Sequence, residues 1–192
     1  PNVLVAMNNT HFYFRAGSDP ALHVRALPTT FAAPLDFVII DEQPVMGPIT
    51  HGRTVSLAVH SDNALVAAVT GWPSIDADNS GVESVWVTQD GGQTWLNVTG
   101  DLVAATGTVA RVRPGGLLFR GQTLLVGTAR GVFVLANYAN VPCRWARLGT
   151  QAQFPLVLTS HLSYSADDDL LLAATMGRGV YLLRNASAHL RQ

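Results

Sequence analysis

At 192 residues the chain is long enough for one domain with a sizeable core, and 48% apolar against 13% charged residues marks a packed globular segment rather than a disordered one or a coiled coil. A formal net charge of −1 leaves no electrostatic footprint for nucleic acid, and no apolar run approaches the length of a membrane span. All twelve basic residues are arginine, which excludes Schiff-base chemistry, a lysine general base and a lysine phosphate clamp from this segment.

The chain opens on Pro1 with no charged-then-apolar leader, the pattern of a processed, trimmed or partly represented polypeptide. Residues 1–27 read as the tail of a β-unit. Val3-Leu4-Val5-Ala6-Met7, His11-Phe12-Tyr13-Phe14-Arg15 and Leu22-His23-Val24-Arg25 are strand-like runs with glycine and aspartate punctuation at Gly17 and Asp19. The linker 28–53 carries Pro28, Pro34, Pro44, Gly47, Pro48 and Gly52. Its Phe37-Val38-Ile39-Ile40 run suits a buried strand, with Asp41, Glu42 and Gln43 projecting outward; partner contact and simple filler are both open readings of so long a loop.

Residues 54–100 read as a four-stranded antiparallel unit. One hairpin turns at Ser61-Asp62-Asn63. After an insertion, Ser84-Val85-Trp86-Val87 and Trp95-Leu96-Asn97-Val98 flank the turn Thr88-Gln89-Asp90-Gly91-Gly92-Gln93-Thr94. Glycine supplies positive φ there without steric cost, and an aspartate can accept hydrogen bonds from the turn's own N–H groups. The eight residues resemble the Asp-box, or BNR repeat, with its Ser/Thr-x-Asp-x-Gly-x-Thr-Trp pattern, matched at Thr88, Asp90, Gly92, Thr94 and Trp95. That resemblance implies a β-propeller blade of the kind found in sialidases, sortilin-type receptors, some polysaccharide hydrolases and photosystem assembly factors. It names an architecture rather than a reaction.

The units 108–149 and 155–192 repeat the pattern, with Trp145 about one blade period after Trp95. Leu125-Val126-Gly127-Thr128-Ala129-Arg130-Gly131-Val132-Phe133 and Leu172-Ala173-Ala174-Thr175-Met176-Gly177-Arg178-Gly179-Val180-Tyr181 are plainly similar. The expected fold is all-β, a propeller of four-stranded antiparallel blades with about four blades present, read as the C-terminal part of a larger propeller because four is the minimum for a ring. A large sandwich of the same hairpins is the alternative.

Strand parity separates two rims. The Asp-box turn falls on one, with Ser61-Asp62-Asn63 and Asp167-Asp168-Asp169. The other receives residues 71–83, Arg130-Gly131, Arg178-Gly179 and the linkers 28–53, 100–107 and 149–155. In Asp-box enzymes the catalytic site lies on that second rim, so the resemblance makes Trp72, Arg130 and Arg178 the candidate interaction face. Asp76, Asp78, Ser80 and Glu83 carry alternating oxygens of a kind that suits calcium; the same residues suit a solvated hairpin tip, and the absence of a glutamate at the twelfth loop position excludes an EF-hand.

A sialidase would need an arginine cluster, a Tyr/Glu nucleophile pair and a Phe/Tyr-Arg-Ile-Pro motif; Phe14-Arg15-Ala16-Gly17 lacks the Ile-Pro. No carboxylate pair can be assigned to glycoside hydrolysis, and the six histidines show no zinc spacing. Cys143 stands alone, a small hydrophobe beside Trp145. Sequons at Asn8, Asn97 and Asn185 point to a secreted, extracellular or lumenal glycoprotein. The expectation is a non-catalytic module that engages a protein or glycan partner or serves structural assembly, with no cofactor beyond the calcium candidate, no nucleic acid and no membrane insertion. A fragment of a sialidase-like or polysaccharide-cleaving hydrolase is the alternative.

Overall fold

The computed structural model describes residues 4–7, 11–15, 23–26, 39–40, 43–44, 53–63, 65–72, 84–105 and 116–190. The protein is mostly β. The strands β1 (Leu4–Met7), β2 (His11–Arg15) and β3 (His23–Ala26) form a three-stranded antiparallel sheet, matching the runs expected for residues 1–27. In the linker, β4 (Ile39–Ile40) pairs with β5 (Gln43–Pro44) as a two-stranded hairpin, so the apolar run there does enter a strand.

Three larger sheets follow, each an up-and-down antiparallel series. The first holds β6 (Arg53–Val59), β7 (Ala67–Trp72), β8 (Ser84–Thr88) and β9 (Leu96–Asn97). The second holds β10 (Leu117–Arg120), β11 (Thr123–Thr128), β12 (Gly131–Leu135) and β13 (Trp145–Arg147). The third holds β14 (Thr159–Ser165), β15 (Leu170–Thr175) and β16 (Val180–Arg184). Two short helices, α1 (Leu102–Ala105) and α2 (Ala186–His189), follow the first and third sheets.

The second sheet lies between the other two, which explains its sequence. Every residue of β11 and β12 is buried, and alternate side chains serve opposite cores. Leu124, Val126, Phe133 and Leu135 pack with Val85, Val87, Val98, Leu102 and Trp145 of the first core, while Leu125, Val132 and Val134 pack with Leu162, Leu171 and Ala173 of the second. A strand buried on both faces reads as a continuous apolar run rather than an alternation. The third sheet has one buried face only: β16 alternates between exposed and half-buried residues.

The leading strands of the sheets come close together. The amide of Leu117 donates to Ser56 Oγ at 3.3 Å, and a Cβ at Gly116 would lie 2.7 Å from His161 Cα. Gly127 touches the backbone and methyl group of Thr159, so a side chain there would collide with β14. Both β6 and β14 carry a register shift near the same point, between Thr54 and Ser56 and between Thr159 and His161, where an extra residue bends the strand.

Candidate functional site

Thr88 ends β8 fully buried, and its hydroxyl organises the turn that follows. Its Oγ1 accepts the amide of Gly92 at 2.8 Å and that of Asp90 at 3.4 Å, and donates to Asp90 Oδ1 at 2.8 Å. Asp90 Oδ1 also accepts the Thr94 amide at 2.9 Å, and Oδ2 accepts the Thr94 hydroxyl at 2.6 Å. The Gln93 side chain closes onto the Asp90 carbonyl at 3.0 Å. Gly91 and Gly92, at φ of 68° and 86°, hold the left-handed positions that a side chain would strain. The Gly91 amide donates to Leu65 O at 2.9 Å, so the turn leans on the β6–β7 loop of its own sheet.

The five matched residues are thus brought together, with one difference from the expected geometry. The strand does not resume at Trp95; β9 is only Leu96–Asn97, and residues 89–95 form one long turn. The reason is that side-chain acceptors on Thr88 and Asp90 take the N–H groups that a tight hairpin would pair across strands. Burial pushes the Asp90 carboxyl up, but the hydrogen bonds from the Thr94 hydroxyl and amide and from Thr88 outweigh it and hold it below its ordinary value. An acceptor-only carboxylate is what this turn requires.

The same rim is tied from sheet to sheet. His60 accepts the Asp62 amide at Nδ1, which leaves Nε2–H to donate to Gly121 O at 2.9 Å, joining the first sheet to the second. Trp145, the period partner of Trp95, is buried; its indole donates to Val98 O at 2.9 Å and its amide to Asp101 Oδ1 at 2.8 Å. Cys143 is buried in the same core, and burial, with the nearby Asp101 charge, raises its thiol away from reactivity.

Sequence reasoning placed Asp169 on this rim without seeing its role. Its carboxylate accepts the Tyr164 hydroxyl at 2.7 Å, the Ser187 amide at 2.8 Å and the Ser187 hydroxyl at 2.7 Å, while its carbonyl accepts the Ala186 amide at 3.1 Å. Helix α2 starts at Asn185, whose side chain makes no capping bond, so Asp169 supplies the cap from another element. Hydrogen bonds from Ser187 and then Tyr164 hold its carboxyl below the ordinary value, helped by Arg120, whose guanidinium lies 5.1 Å from the centre of the Tyr164 ring. The available signal was an aspartate between two strand runs; its partner eighteen residues on has no local signature.

On the opposite rim, Arg130 and Arg178 are turn residues. The Arg130 amide donates to Thr128 Oγ1 at 3.0 Å, and its carbonyl accepts Arg147 Nε at 3.1 Å. Arg147 goes on to donate to the carbonyls of Gly149 and Phe154, fastening the link between the second and third sheets. Arg178 stands exposed between Gly177 and Gly179, whose φ values are 89° and 73°. Trp72 ends β7, paired with Arg53, and its side chain lies outside the described residues, as do Asp76, Asp78, Ser80, Glu83 and Asn8. Asn97 and Asn185 are exposed, and Asn97 Oδ1 accepts the Thr99 amide at 2.9 Å.

Between the second and third sheets lies a cavity of about 130 Å³ lined by Val132, Leu148, Phe154, Leu171 and Tyr181. It is smaller than the roughly 300–1,000 Å³ of ligand pockets, and the Phe154 and Tyr181 rings meet edge to face across it at 4.7 Å. Among the described residues no three His, Cys, Asp or Glu side chains cluster as metal ligands, and no helix is long and apolar enough to cross a membrane. No protein-family model and no curated protein matches the chain.

Proposed function

We propose that the protein is a non-catalytic Asp-box β-propeller module, its sheets arranged as successive blades, which engages protein or glycan partners or serves structural assembly in an extracellular or lumenal setting. The observation that carries the reading is the Thr88–Asp90–Thr94 network. Asp90 directs its carboxylate wholly into its own turn, where it fastens Thr88 to Thr94 as the Asp-box resemblance implies. The close approach of β6, β10 and β14, with a sheet fanning from each, supports blades over a two-sheet sandwich. The exposed sequon asparagines Asn97 and Asn185 support a secretory route.

The test pairs a screen of sialosides and β-glucans for turnover with a screen of immobilised glycans and candidate proteins for binding. Binding without turnover is expected. Turnover lost on substituting carboxylates of this chain would overturn the non-catalytic reading.

A further inference from the structure

The third sheet is one strand shorter than the second, and the internal repeat indicates what a fourth strand would carry. Among the described residues β16 pairs with β15 alone, whereas its counterpart β12 is covered on its other side by β13. Aligning the two Arg-Gly-Val turns sets Gly127 against Ala174, Val132 against Val180, Phe133 against Tyr181 and Leu135 against Leu183. In the second sheet Leu135 stands opposite Trp145, the first residue of β13. The Trp145 side chain is buried, and its indole reaches across to the first sheet to donate to Val98 O at 2.9 Å. Leu148 holds in the second sheet the place that Val98 holds in the first. As the chain leaves the last strand of each sheet, the Val98 amide donates to Val85 O and the Leu148 amide to Val132 O, both at 2.9 Å.

A tryptophan opposite Leu183 on a fourth strand would therefore lie between Leu183 of its own sheet and Leu148 of the sheet before. The cavity of about 130 Å³ is at that place, lined by Leu148, Phe154, Leu171, Tyr181 and Leu183. Two register arguments, one from each sheet, meet at the same hollow. Its volume is below the roughly 300 Å³ at which ligand pockets begin, but close to the roughly 150 Å³ of an apolar cavity that admits one benzene ring. We propose that the third sheet takes its fourth strand from a partner polypeptide, an extended segment whose tryptophan stands opposite Leu183 and seats its ring in this cavity. The strand bonds through its main chain to the outer edge of β16, and the ring supplies the specificity, as in strand addition generally. This inference rests on the reading that the module engages protein partners and names the kind of segment it takes.

The test uses the 192-residue chain and a fluorescently labelled peptide copying residues 144–149, followed by anisotropy and by amide exchange. The peptide should bind and slow exchange along Val180–Arg184. Replacing its tryptophan with alanine should weaken binding about tenfold or more. Replacing the alanine that follows with serine should leave binding unchanged, because Ala146 is exposed in β13. Ala173→Leu, in the cavity wall, should erase the advantage of the tryptophan peptide over its alanine form. Near-UV circular dichroism establishes whether that variant is folded; if it is not, the two peptides compared on the parent chain decide. No binding, a tryptophan that makes no difference, or free indole that protects β16 as well as the peptide does would each overturn the assignment. Glycan turnover bears on the non-catalytic reading alone, so the two fail separately.

Discussion

Replacing Asp90 with alanine removes three acceptor contacts at once, and their surroundings set the cost. Thr94 is exposed, so water can replace the carboxylate at its amide and hydroxyl, and each of those bonds contributes about 0.5–1 kcal/mol net. Thr88 is fully buried, and its hydroxyl hydrogen would lose its acceptor away from solvent, costing about 1–2 kcal/mol. The total is about 2–4 kcal/mol. With a urea m-value of about 2 kcal/mol/M the midpoint should fall by about 1–2 M. The carboxyl titrates below its ordinary value when folded, so its contribution is fully present above the unfolded carboxylate range and disappears as pH falls through the folded pKa. The stabilities of the parent and Asp90→Ala should therefore converge in acid and separate towards neutrality. Urea titrations at neutral pH and at stepped pH values below the carboxylate range check both parts. A loss under 0.5 kcal/mol at neutral pH, or a gap that widens in acid, would refute the reasoning.

Gly127→Val should cost about 1–3 kcal/mol by driving a side chain into the Thr159 backbone, whereas Ala174→Val at the repeat-equivalent site should cost less, as paired denaturation curves would reveal. Trp145→Phe keeps the ring in the core but strands the Val98 carbonyl, an expected loss of about 1–3 kcal/mol; a change within error would show that the indole bond is dispensable. Asp169→Ala should loosen the start of α2, read as faster amide exchange at Ser187, whose acceptor is the carboxylate, with β14–β15 protection retained. The parent should show the same loosening in acid, because the Asp169 carboxyl is also held below its ordinary value and its grip is lost as pH falls through it.

The strands were legible because alternation and turn chemistry act locally. Leu170–Thr175 and Val180–Arg184 sit on runs bounded by aspartate and glycine, and Thr88 through Thr94 announced their turn by residue type alone. Local signals also have a limit, visible at Trp95. It reads as the start of a strand, but β9 starts one residue later, because two side chains rather than a partner strand satisfy the turn amides. Contacts formed at a distance had no signature: His60 to Gly121, Trp145 to Asp101 and Asp169 to Ser187 join residues 61, 44 and 18 positions apart. The insertion with Trp72, Asp76, Asp78, Ser80 and Glu83 lies beyond what the described side chains can speak to.

Two aspartates on one rim, Asp90 and Asp169, are held as acceptors by hydroxyl and amide donors, and both titrate below the ordinary value. A catalytic acid is poised the other way, by burial or a like charge that keeps its proton on near neutrality. The departure of these two carboxyls therefore marks turns that need a permanent anion, one to set a loop and one to cap a helix. Perturbed acidity here belongs to the fold.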